Sequence, residues 1–381
     1  MKWDGSEFEA SLKRSADFGL ENCIGANDCM AVCPVNRLGV NQNELDSVMV
    51  SGVWTDRVKT FVTECIQCGD CTLACPAGVE RDLMMLYLKS KLPELPSKWK
   101  SYYMLKGRQD QSLLISLYDV VARVVAGPLG MYVDKKELEQ KSLLFYFGCY
   151  VFSPSGAPAA TLKLADRLGL DYEVLAGVRS CCGWPQYLTG RMGYGQQMLT
   201  HLGELIDKVQ PDVIVSGCAE CYAGLLRLKK KTGASWKPLT TTEWLLGHAD
   251  SLTWNKMEKP LAVHDSCHVT KKNGNPEPFR KLLSRIGEVV ELENAPEDCV
   301  CCGYYNIHVN HDLNHNLHRE KLKLVQERGA EALAVECVTC WESFRDEFRK
   351  AEVPLWDLMV VAEQATRESA ADEPQEVANH D

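Results

Sequence analysis

Short apolar runs alternate with segments of helical periodicity through the second half of the chain. Four runs of four to six apolar, β-branched-rich residues are bounded by glycine or polar residues, a pattern that predicts buried strands. Apolar residues recur at helical spacing over residues 159–168 and 197–209. Strands that alternate with helices predict α/β domains with parallel sheets. The four predicted strands lie within residues 142–149, 212–221, 260–267 and 332–340.

The positions of the cysteines divide the 381-residue chain into segments. Seven lie within residues 1–100, none within residues 101–140, and eleven within residues 141–255 and 256–365; residues 366–381 form a polar tail. The cysteines of the third segment recur in the fourth after 118 to 120 residues, which predicts two tandem domains rather than a solenoid. The predicted fold class is α+β and α/β: a helical N-terminal domain, a helical connector over residues 101–140, and two tandem α/β domains with parallel sheets.

The charge and the apolar content of the chain exclude two classes of function. The net charge is −10, with no run of basic residues, which argues against nucleic acid as a partner. The acidic N-terminus does not resemble an export signal, so we expect a cytoplasmic protein. The most apolar window, residues 113–133, contains Asp119, Arg123 and Pro128, and predicts a buried or interfacial helix rather than a membrane span. Any membrane contact, peripheral and at the inner face, is expected through a partner.

The 18 cysteines predict metal or cluster ligation rather than disulfides. Two pairs are adjacent in sequence and most of the others have C-x-x-C spacing, without an export signal. A zinc-stapled scaffold is the non-redox alternative, but it does not explain the adjacent pairs.

The motif at Cys65, Cys68, Cys71 and Cys75-Pro76 has C-x2-C-x2-C-x3-C-P spacing. This is the run of bacterial two-cluster ferredoxins, in which the fourth cysteine ligates the other cluster. It predicts that residues 1–100 form a ferredoxin-like, two-cluster domain that conducts single electrons.

A second, imperfect copy has Cys23, Cys29 and Cys33-Pro34, with Ala26 at the place of its second cysteine. If the fourth cysteine of each motif ligates the cluster of the other motif, one of the two clusters has only three cysteine ligands. That cluster is either [3Fe–4S], or [4Fe–4S] with Asp28, Asn27 or water on the fourth iron; loss of the cluster is the alternative. The predicted ligand sets are Cys33, Cys65, Cys68 and Cys71 for a [4Fe–4S] cluster, and Cys23, Cys29 and Cys75 for the incomplete one.

The duplicated segment contains two matched sets of five cysteines. Five thiolates exceed the four that a cubane or a zinc site needs, so adjacent cysteines predict a wider metal assembly. Gly183 and Gly303 directly follow the adjacent pairs, and we expect them to let the backbone approach the cluster closely. The first set is Cys149, Cys181, Cys182, Cys218 and Cys221; the second is Cys267, Cys301, Cys302, Cys337 and Cys340.

The C-x31–39-C-C-x35–36-C-x-x-C pattern resembles the CCG cysteine-rich domain of the heterodisulfide reductases, although the second copy is one residue short. The whole layout is similar to their fused form, in which a two-cluster module precedes two CCG domains. The resemblance implies one noncubane [4Fe–4S] cluster on each set of five, cleavage of a disulfide substrate between the two clusters, and these ten cysteines as catalytic ligands. Ala26 departs from the family and leaves the potential of the first cluster open.

A similar layout occurs in electron-relay subunits of glycerol-3-phosphate, glycolate, lactate, succinate and acyl-CoA systems. The alternative function is therefore a relay toward quinone or another partner that binds no small substrate. The chain contains no GxGxxG or GxxxxGK[ST] motif in a strand–helix context, so neither flavin nor nucleotide is expected. Electrons are expected to come from a flavoprotein or another donor protein of a larger complex, and a small thiol or disulfide is the predicted substrate.

Other residues near the motifs have two interpretations each. His264 and His268 are proton donors or, as we favour, hydrogen-bond to the cluster or the backbone. Cys299 is a spare ligand or, preferably, a buried thiol. The aromatic residues after the adjacent cysteines line a substrate cleft or, more commonly, exclude water by packing; they are Trp184, Tyr304 and Tyr305. The four histidines within residues 308–318 lie on one helix face, for which a solvated helix is the expectation.

Overall fold

The computed structural model describes residues 5–93, 120–307 and 309–367. Helices form the N-terminal region, and two four-stranded parallel sheets with flanking helices form the remainder, so the predicted fold class is confirmed. In helix α3, Asn41 and Glu44 form a capping box that fixes where the helix begins. The N-terminal helices are α1 (Gly5–Asn22), α2 (Asp28–Ala31), α3 (Gln42–Ser51), α4 (Asp56–Glu64), α5 (Asp70–Leu73) and α6 (Arg81–Ser90).

The first α/β unit contains a parallel sheet of order β2-β1-β3-β4. Its middle strands are rich in β-branched and aromatic residues, and Phe145 and Tyr146 of β1 are fully buried. Its strands are β1 (Leu143–Gly148), β2 (Tyr172–Ala176), β3 (Val213–Ser216) and β4 (Lys237–Thr240). Its helices are α7 (Ala157–Arg167), α8 (Trp184–Leu188), α9 (Met192–Val209), α10 (Ala219–Thr232) and α11 (Thr241–His248).

The second α/β unit repeats the topology with the order β6-β5-β7-β8. Its strands are β5 (Leu261–His264), β6 (Val289–Val290), β7 (Ala332–Val335) and β8 (Leu355–Asp357). Its helices are α12 (Thr270–Asn273), α13 (Glu277–Ile286), α14 (His311–Glu327), α15 (Val338–Lys350) and α16 (Leu358–Ala365).

The four strands predicted from the sequence are β1, β3, β5 and β7, the two central strands of each sheet. Their predicted identity is confirmed, and their central position explains why their apolar signal was the clearest. In the second sheet the outer strands β6 and β8 are shorter than the central ones, and both valines of β6 are only half-buried. Because the strands of each sheet are parallel, all of their carboxyl ends lie at one edge.

The connector and the C-terminal helix join the units. Residues 120–125 are helical and Gly127–Tyr132 form a 3₁₀ helix, whereas Val133 bridges to Ala176 of β2, so the predicted helical connector ends before residue 133. Helix α16 packs on α7, where Arg167 and Glu363 are 3.0 Å apart. Residues 101–119 of the predicted connector and 368–381 of the predicted tail lie outside the described residues. Among the helices that are described, none has the length and apolar character needed to cross a bilayer.

Candidate functional site

The first set of five cysteines gathers at the carboxyl edge of the first sheet. Cys149 directly follows β1, and its Sγ lies 3.8 Å from that of Cys181, which follows β2 through a 3₁₀ turn. Cys218 is the N-cap of α10, and Cys221 lies in its first turn. The parallel sheet therefore brings together residues that lie up to 72 positions apart in the chain.

The second set occupies the equivalent edge of the second sheet. The Sγ atoms of Cys267 and Cys301 are 3.8 Å apart, the distance found for the matching pair of the first set. Cys337 is the N-cap of α15, and Cys340 lies in its first turn. All of the cysteines of the second set are buried.

The two sets meet at the first cysteine of each C-x-x-C pair. The ligand atoms of Cys218, Glu220 and Cys337 all lie within 4.8 Å of one another. The backbone N–H of Ala219 donates to Cys337 Sγ at 3.4 Å, and Thr339 Oγ1 donates to Glu220 Oε2 at 2.9 Å. Glu220 and Thr339 occupy matching positions in the two copies, so the duplicated chain differs in chemistry where the copies touch.

The thiols of these sets are suited to iron. In the second set, hydrogen bonds from Cys218 and Cys340 lower the pKa of Cys337, whereas bonds to Cys302 and Cys337 raise that of Cys340. The thiols therefore share protons in a buried, low-dielectric space, where several thiolates repel one another. A metal cluster that neutralises these thiolates would release the protons and stabilise the arrangement.

The N-terminal domain brings its cysteines together in the crossed pattern. One small cavity is bordered by Cys33, Cys65, Cys68 and Cys71, and another by Cys23, Cys29 and Cys75. Burial, followed by the charge of Cys65, raises the pKa of Cys33 to about 12. As at the carboxyl edges of the two sheets, several thiols lie close together in a buried space that suits a cluster.

Ala26 lies at the second of these cavities together with Asn27 and Asp28. The Asn27 side-chain oxygen already accepts from the backbone N–H of Gln42 at 3.1 Å. Cys29 Sγ donates to Gln42 Oε1 at 3.6 Å. Asn27 is one of the two side chains considered as the fourth ligand, and its oxygen is already engaged in this hydrogen bond.

The loop of the N-terminal domain that contains Cys65 to Cys75, together with the helices on either side of it, contacts the second cysteine-rich unit. Lys271 and Lys272, a few residues after Cys267, pair with Asp70 and Asp82; the Lys272 pair is 2.8 Å long. A polar contact lies next to Cys65, where Asn306 Nδ2 donates to the backbone oxygen of Glu64 at 3.0 Å. Asn310 holds the Glu64 carboxylate at 2.7 Å. The charge of Cys301 is among those that raise the pKa of Cys68, in accord with this proximity.

A cavity of about 320 Å³ lies where the two cysteine-rich units meet. Trp184, Tyr304 and Tyr305 all lie on its wall, so these aromatic residues border a cleft and do more than pack. Glu220 also borders it, and burial, followed by the charge of Cys337, raises the pKa of this carboxyl to about 7. The cysteines on its wall are Cys149, Cys182, Cys218 and Cys221.

The two glycines that follow the adjacent cysteines have positive backbone φ angles. Gly183 has φ +79° and Gly303 has φ +69°, the left-handed region that disfavours other residues. A Cβ on Gly183 would lie 2.4 Å from the backbone oxygen of Gly195, in α9. Gly183 thus permits a tight turn and close contact with helix α9, in addition to the predicted approach of the backbone to a cluster, which stays a prediction.

The histidine-rich helix is not a solvated one throughout. His308 lies outside the described residues, and α14 begins at His311. His318 is 2% exposed, and its Nε2 lies 2.9 Å from the backbone oxygen of Cys302 and 3.0 Å from Ser343 Oγ. The prediction of a solvated face is wrong for His318 because α14 packs on α15 beside the adjacent cysteines.

The two histidines that flank Cys267 are buried and electrically neutral at neutral pH. Burial lowers the pKa of His264 to about 3 and that of His268 well below its ordinary value. Within the described residues neither ring nitrogen of His264 has a hydrogen-bond partner, so this histidine does not bond to the backbone, and the predicted bond to the cluster stays a prediction. Cys299 is fully buried, as the favoured interpretation has it.

Sequence reasoning missed Glu220, Thr339 and the lysine pair Lys271–Lys272. The two lysines follow VHDSCH in sequence, but nothing in a single chain shows which acidic loop they face. Glu220 and Thr339 could have been found by aligning the two copies, because both lie between the cysteines of a C-x-x-C pair.

Comparison with known proteins matches both parts of the chain. Residues 22–80 match a 4Fe-4S dicluster domain, and residues 143–225 and 261–345 match the cysteine-rich domain CCG. A subunit of the dihydromethanophenazine:CoB–CoM heterodisulfide reductase of Methanosarcina acetivorans is 24% identical over 81% of this chain and 79% of its own length. These matches support iron–sulfur clusters in both parts.

Two further relatives cover about half of the chain. A subunit of the CoM/CoB fumarate reductase of Methanothermobacter marburgensis is 23% identical over 54% of this chain and 42% of its own length. A lactate utilization protein of Bacillus mycoides is 26% identical over 51% of this chain and 84% of its own length. Together the relatives support an iron–sulfur oxidoreductase or electron-relay role.

Proposed function

We propose that this chain, which combines a 4Fe-4S dicluster domain with two CCG cysteine-rich domains, exchanges electrons between a redox partner and a thiol or disulfide bound at its CCG domains. The observation that carries the proposal is that both sets of five cysteines are complete and meet at Cys218 and Cys337, whose sulfur atoms lie within 4.8 Å of each other. A protein that only relays electrons needs its clusters near one another but does not need two complete sets of five cysteines that meet.

The proposed cofactors follow the cysteine sets. Two noncubane [4Fe–4S] clusters would be held by the two sets of five, with a [4Fe–4S] cluster on Cys33 and the loop cysteines Cys65, Cys68 and Cys71. Cys23, Cys29 and Cys75 would hold a [3Fe–4S] or three-cysteine [4Fe–4S] cluster. We propose domain limits of 1–100, 141–255 and 256–365, joined by residues 101–140 and followed by the tail 366–381.

The overall reaction consumes two electrons and two protons. The S–S bond of a disulfide breaks, each sulfur gains one electron, and each takes up a proton to give a thiol; the reverse direction releases them. When bound, the clusters supply single electrons and an iron to which a sulfur can attach. The electrons come from a one-electron donor protein, for which a flavoprotein is the proposed class.

The residues of the chain prepare the cavity for this reaction. The Glu220 carboxyl accepts from Thr339 Oγ1 and lies 3.0 Å from Cys218 Sγ, so it can hold a proton beside the first set of cysteines. Trp184 and Tyr305 shield the same space from water.

The test is electron paramagnetic resonance on anaerobically purified, oxidised protein, with and without a panel of thiols. A paramagnetic signal that appears only with thiol supports binding of a substrate sulfur at a CCG domain. Intact cluster signals that no thiol changes would contradict the proposal and favour the relay role suggested by the lactate and fumarate relatives. The same oxidised spectrum distinguishes a [3Fe–4S] cluster from a [4Fe–4S] cluster at Cys23.

A further inference from the structure

We propose that the buried ammonium of Lys89 raises the reduction potential of the complete cluster of the N-terminal domain. The complete cluster is the [4Fe–4S] cluster proposed on Cys33, Cys65, Cys68 and Cys71. The inference rests on this part of the proposed function but not on the thiol or disulfide substrate. Lys89 then holds the transferred electron at the cluster whose loop contacts the second cysteine-rich unit.

Lys89 lies where the three parts of the chain meet. It belongs to the last turn of α6, and its Nζ donates to the backbone oxygen of Thr63 at 3.4 Å and to that of Leu188 at 3.2 Å. The same Nζ lies 3.9 Å from the centre of the Tyr305 ring, within the range of a cation–π contact. Thr63 belongs to the N-terminal domain, Leu188 to the first α/β unit and Tyr305 to the second, so one ammonium contacts all three.

The side chain of Lys89 is enclosed and its contacts are uncharged. Lys89 is 1% exposed, and the first unit packs closely on its backbone, since the Lys89 carbonyl oxygen leaves no room for a Cβ on Gly190. Its polar contacts within the described part of the chain are two carbonyl oxygens and an aromatic ring. A buried charge with neutral partners is costly unless an anion lies nearby.

The complete cluster supplies such an anion. Thr63 lies two residues before Cys65 in the chain. Burial lowers the pKa of Lys89 to about 8, and the charge of Cys65 opposes this shift, so the ammonium stays protonated at neutral pH. Four thiolates outweigh the positive charge of the cluster core, and reduction adds a further negative charge. A fixed positive charge in a buried site therefore stabilises the reduced cluster more than the oxidised one.

A structural role as a link between the three parts is the alternative. A neutral donor could form the same hydrogen bonds to the carbonyl oxygens of Thr63 and Leu188 at a lower desolvation cost. Hydrogen bonding alone therefore does not account for a charged residue at this place. The two interpretations differ in what they predict for Lys89→Gln, which keeps an N–H donor and removes the charge.

The test is a reductive titration of the whole, anaerobically purified protein with dithionite and redox mediators, followed by the paramagnetic signals of the reduced clusters. Ala26→Cys assigns the signals, because it should change only the incomplete cluster of Cys23, Cys29 and Cys75. We expect Lys89→Gln and Lys89→Met to shift the reduction equilibrium of the complete cluster at least about tenfold toward the oxidised form, a potential about 59 mV lower. Lys89→Arg keeps the charge and should shift it less than about threefold.

Two controls separate a local charge from a general effect. Lys91→Gln removes the same charge two residues later, from a side chain that is 44% exposed and paired with Glu9. We expect it to shift the potential less than about threefold, because water and salt screen an exposed charge. The incomplete cluster is a reference within each sample and should shift less than the complete one. An equal shift from Lys91→Gln, or an equal shift of both clusters, would overturn the proposal.

The comparison of glutamine with methionine separates charge from packing. The thermal unfolding midpoint should be higher for Lys89→Gln than for Lys89→Met, because the amide keeps a hydrogen bond, whereas the potentials of the two variants should agree. A wild-type potential in Lys89→Gln would show that Lys89 is only a structural link and would overturn the proposal. If Lys89→Met does not fold, the comparison of Lys89→Gln with Lys89→Arg decides the question alone.

The same samples distinguish this inference from the proposed function. Clusters that shift as expected in the Lys89 variants but respond to no thiol would overturn the proposed reaction and leave the inference standing. Wild-type protein without a signal assignable to the complete cluster would overturn the inference together with that proposed cofactor.

Discussion

Alanine substitutions at the two matched glycines should have unequal costs, although the glycines occupy equivalent places in the duplicated motif. Both have positive φ, so an alanine at either costs about 1–2 kcal/mol of backbone strain. At Gly183 the added Cβ would also lie 2.4 Å from the backbone oxygen and 2.9 Å from the Cα of Gly195. Helix α9 cannot move away without repacking, which adds about 1–3 kcal/mol.

The same Cβ at Gly303 meets only side-chain ends. Its nearest atoms are Leu317 Cδ1 at 2.9 Å, at the end of a flexible side chain, and Asn314 Nδ2 at 3.2 Å, which needs to shift by only a few tenths of an ångström. We therefore expect Gly183→Ala to cost about 2–5 kcal/mol and Gly303→Ala about 1–2 kcal/mol.

The assay is thermal unfolding under anaerobic conditions at one fixed scan rate, with iron content measured beforehand, because unfolding of cluster proteins is not reversible. A difference of about 2 kcal/mol corresponds to about 4–8 °C in midpoint for a unit of 150–250 residues. Gly193→Ala serves as the control, since its Cβ would meet nothing within 4 Å. A Gly303→Ala midpoint as low as that of Gly183→Ala, or lower, would refute the reasoning.

Three further outcomes are expected. Burial opposes ionisation of Glu363, but its two arginine partners prevail and lower its pKa; Glu363→Gln should therefore cost about 1–3 kcal/mol at neutral pH. This stabilisation exists above the unfolded-state pKa of 4.5 and is lost as the pH falls through the lower folded-state pKa. The denaturant unfolding curves of the variant and the wild type should therefore converge in acid. A difference between the two midpoints that stays constant with pH would contradict this. Asn306→Asp replaces the donor to the Glu64 backbone oxygen by an acceptor and should weaken the docking contact by about 2–3 kcal/mol. We expect faster proteolysis of the loop that contains Cys65 to Cys75, and an unchanged rate would count against the contact. Anaerobic removal of iron should increase amide hydrogen exchange in residues 5–93 more than in the two sheets, because short helices there surround the cysteines; equal increases in both would argue otherwise.

Much of the architecture could be predicted because its signals are local. A buried parallel strand is a short apolar run, and β1, β3, β5 and β7 are the strands whose runs are uninterrupted by charge. The duplication was identified differently, from cysteine spacings that recur after 118 to 120 residues. The short β6 left too little pattern to recognise, since Val289 and Val290 are its only residues.

The chemistry of the site was less accessible from the sequence. His318 belongs to a run of histidines at helical spacing, which by itself indicates a face and not its neighbour. The contact with the Cys302 backbone depends on how α14 packs against α15. Likewise, the role of Gly183 depends on α9, which begins nine residues later in the chain.

The sequence by itself predicted two cysteine sets and their membership from spacing, and the central strands from short apolar runs, because spacings and runs can be read along the chain without knowledge of the packing. Only the tertiary structure decided how these parts face each other. It placed the N-terminal domain against the second unit through Lys272 and Asn306, and Glu220 and Thr339 at the contact between the copies. The physical reason is that packing between units depends on the shape and charge of surfaces formed by distant residues, so two copies with equivalent cysteines acquire different environments: the first borders a cavity, and the second unit contacts the N-terminal domain.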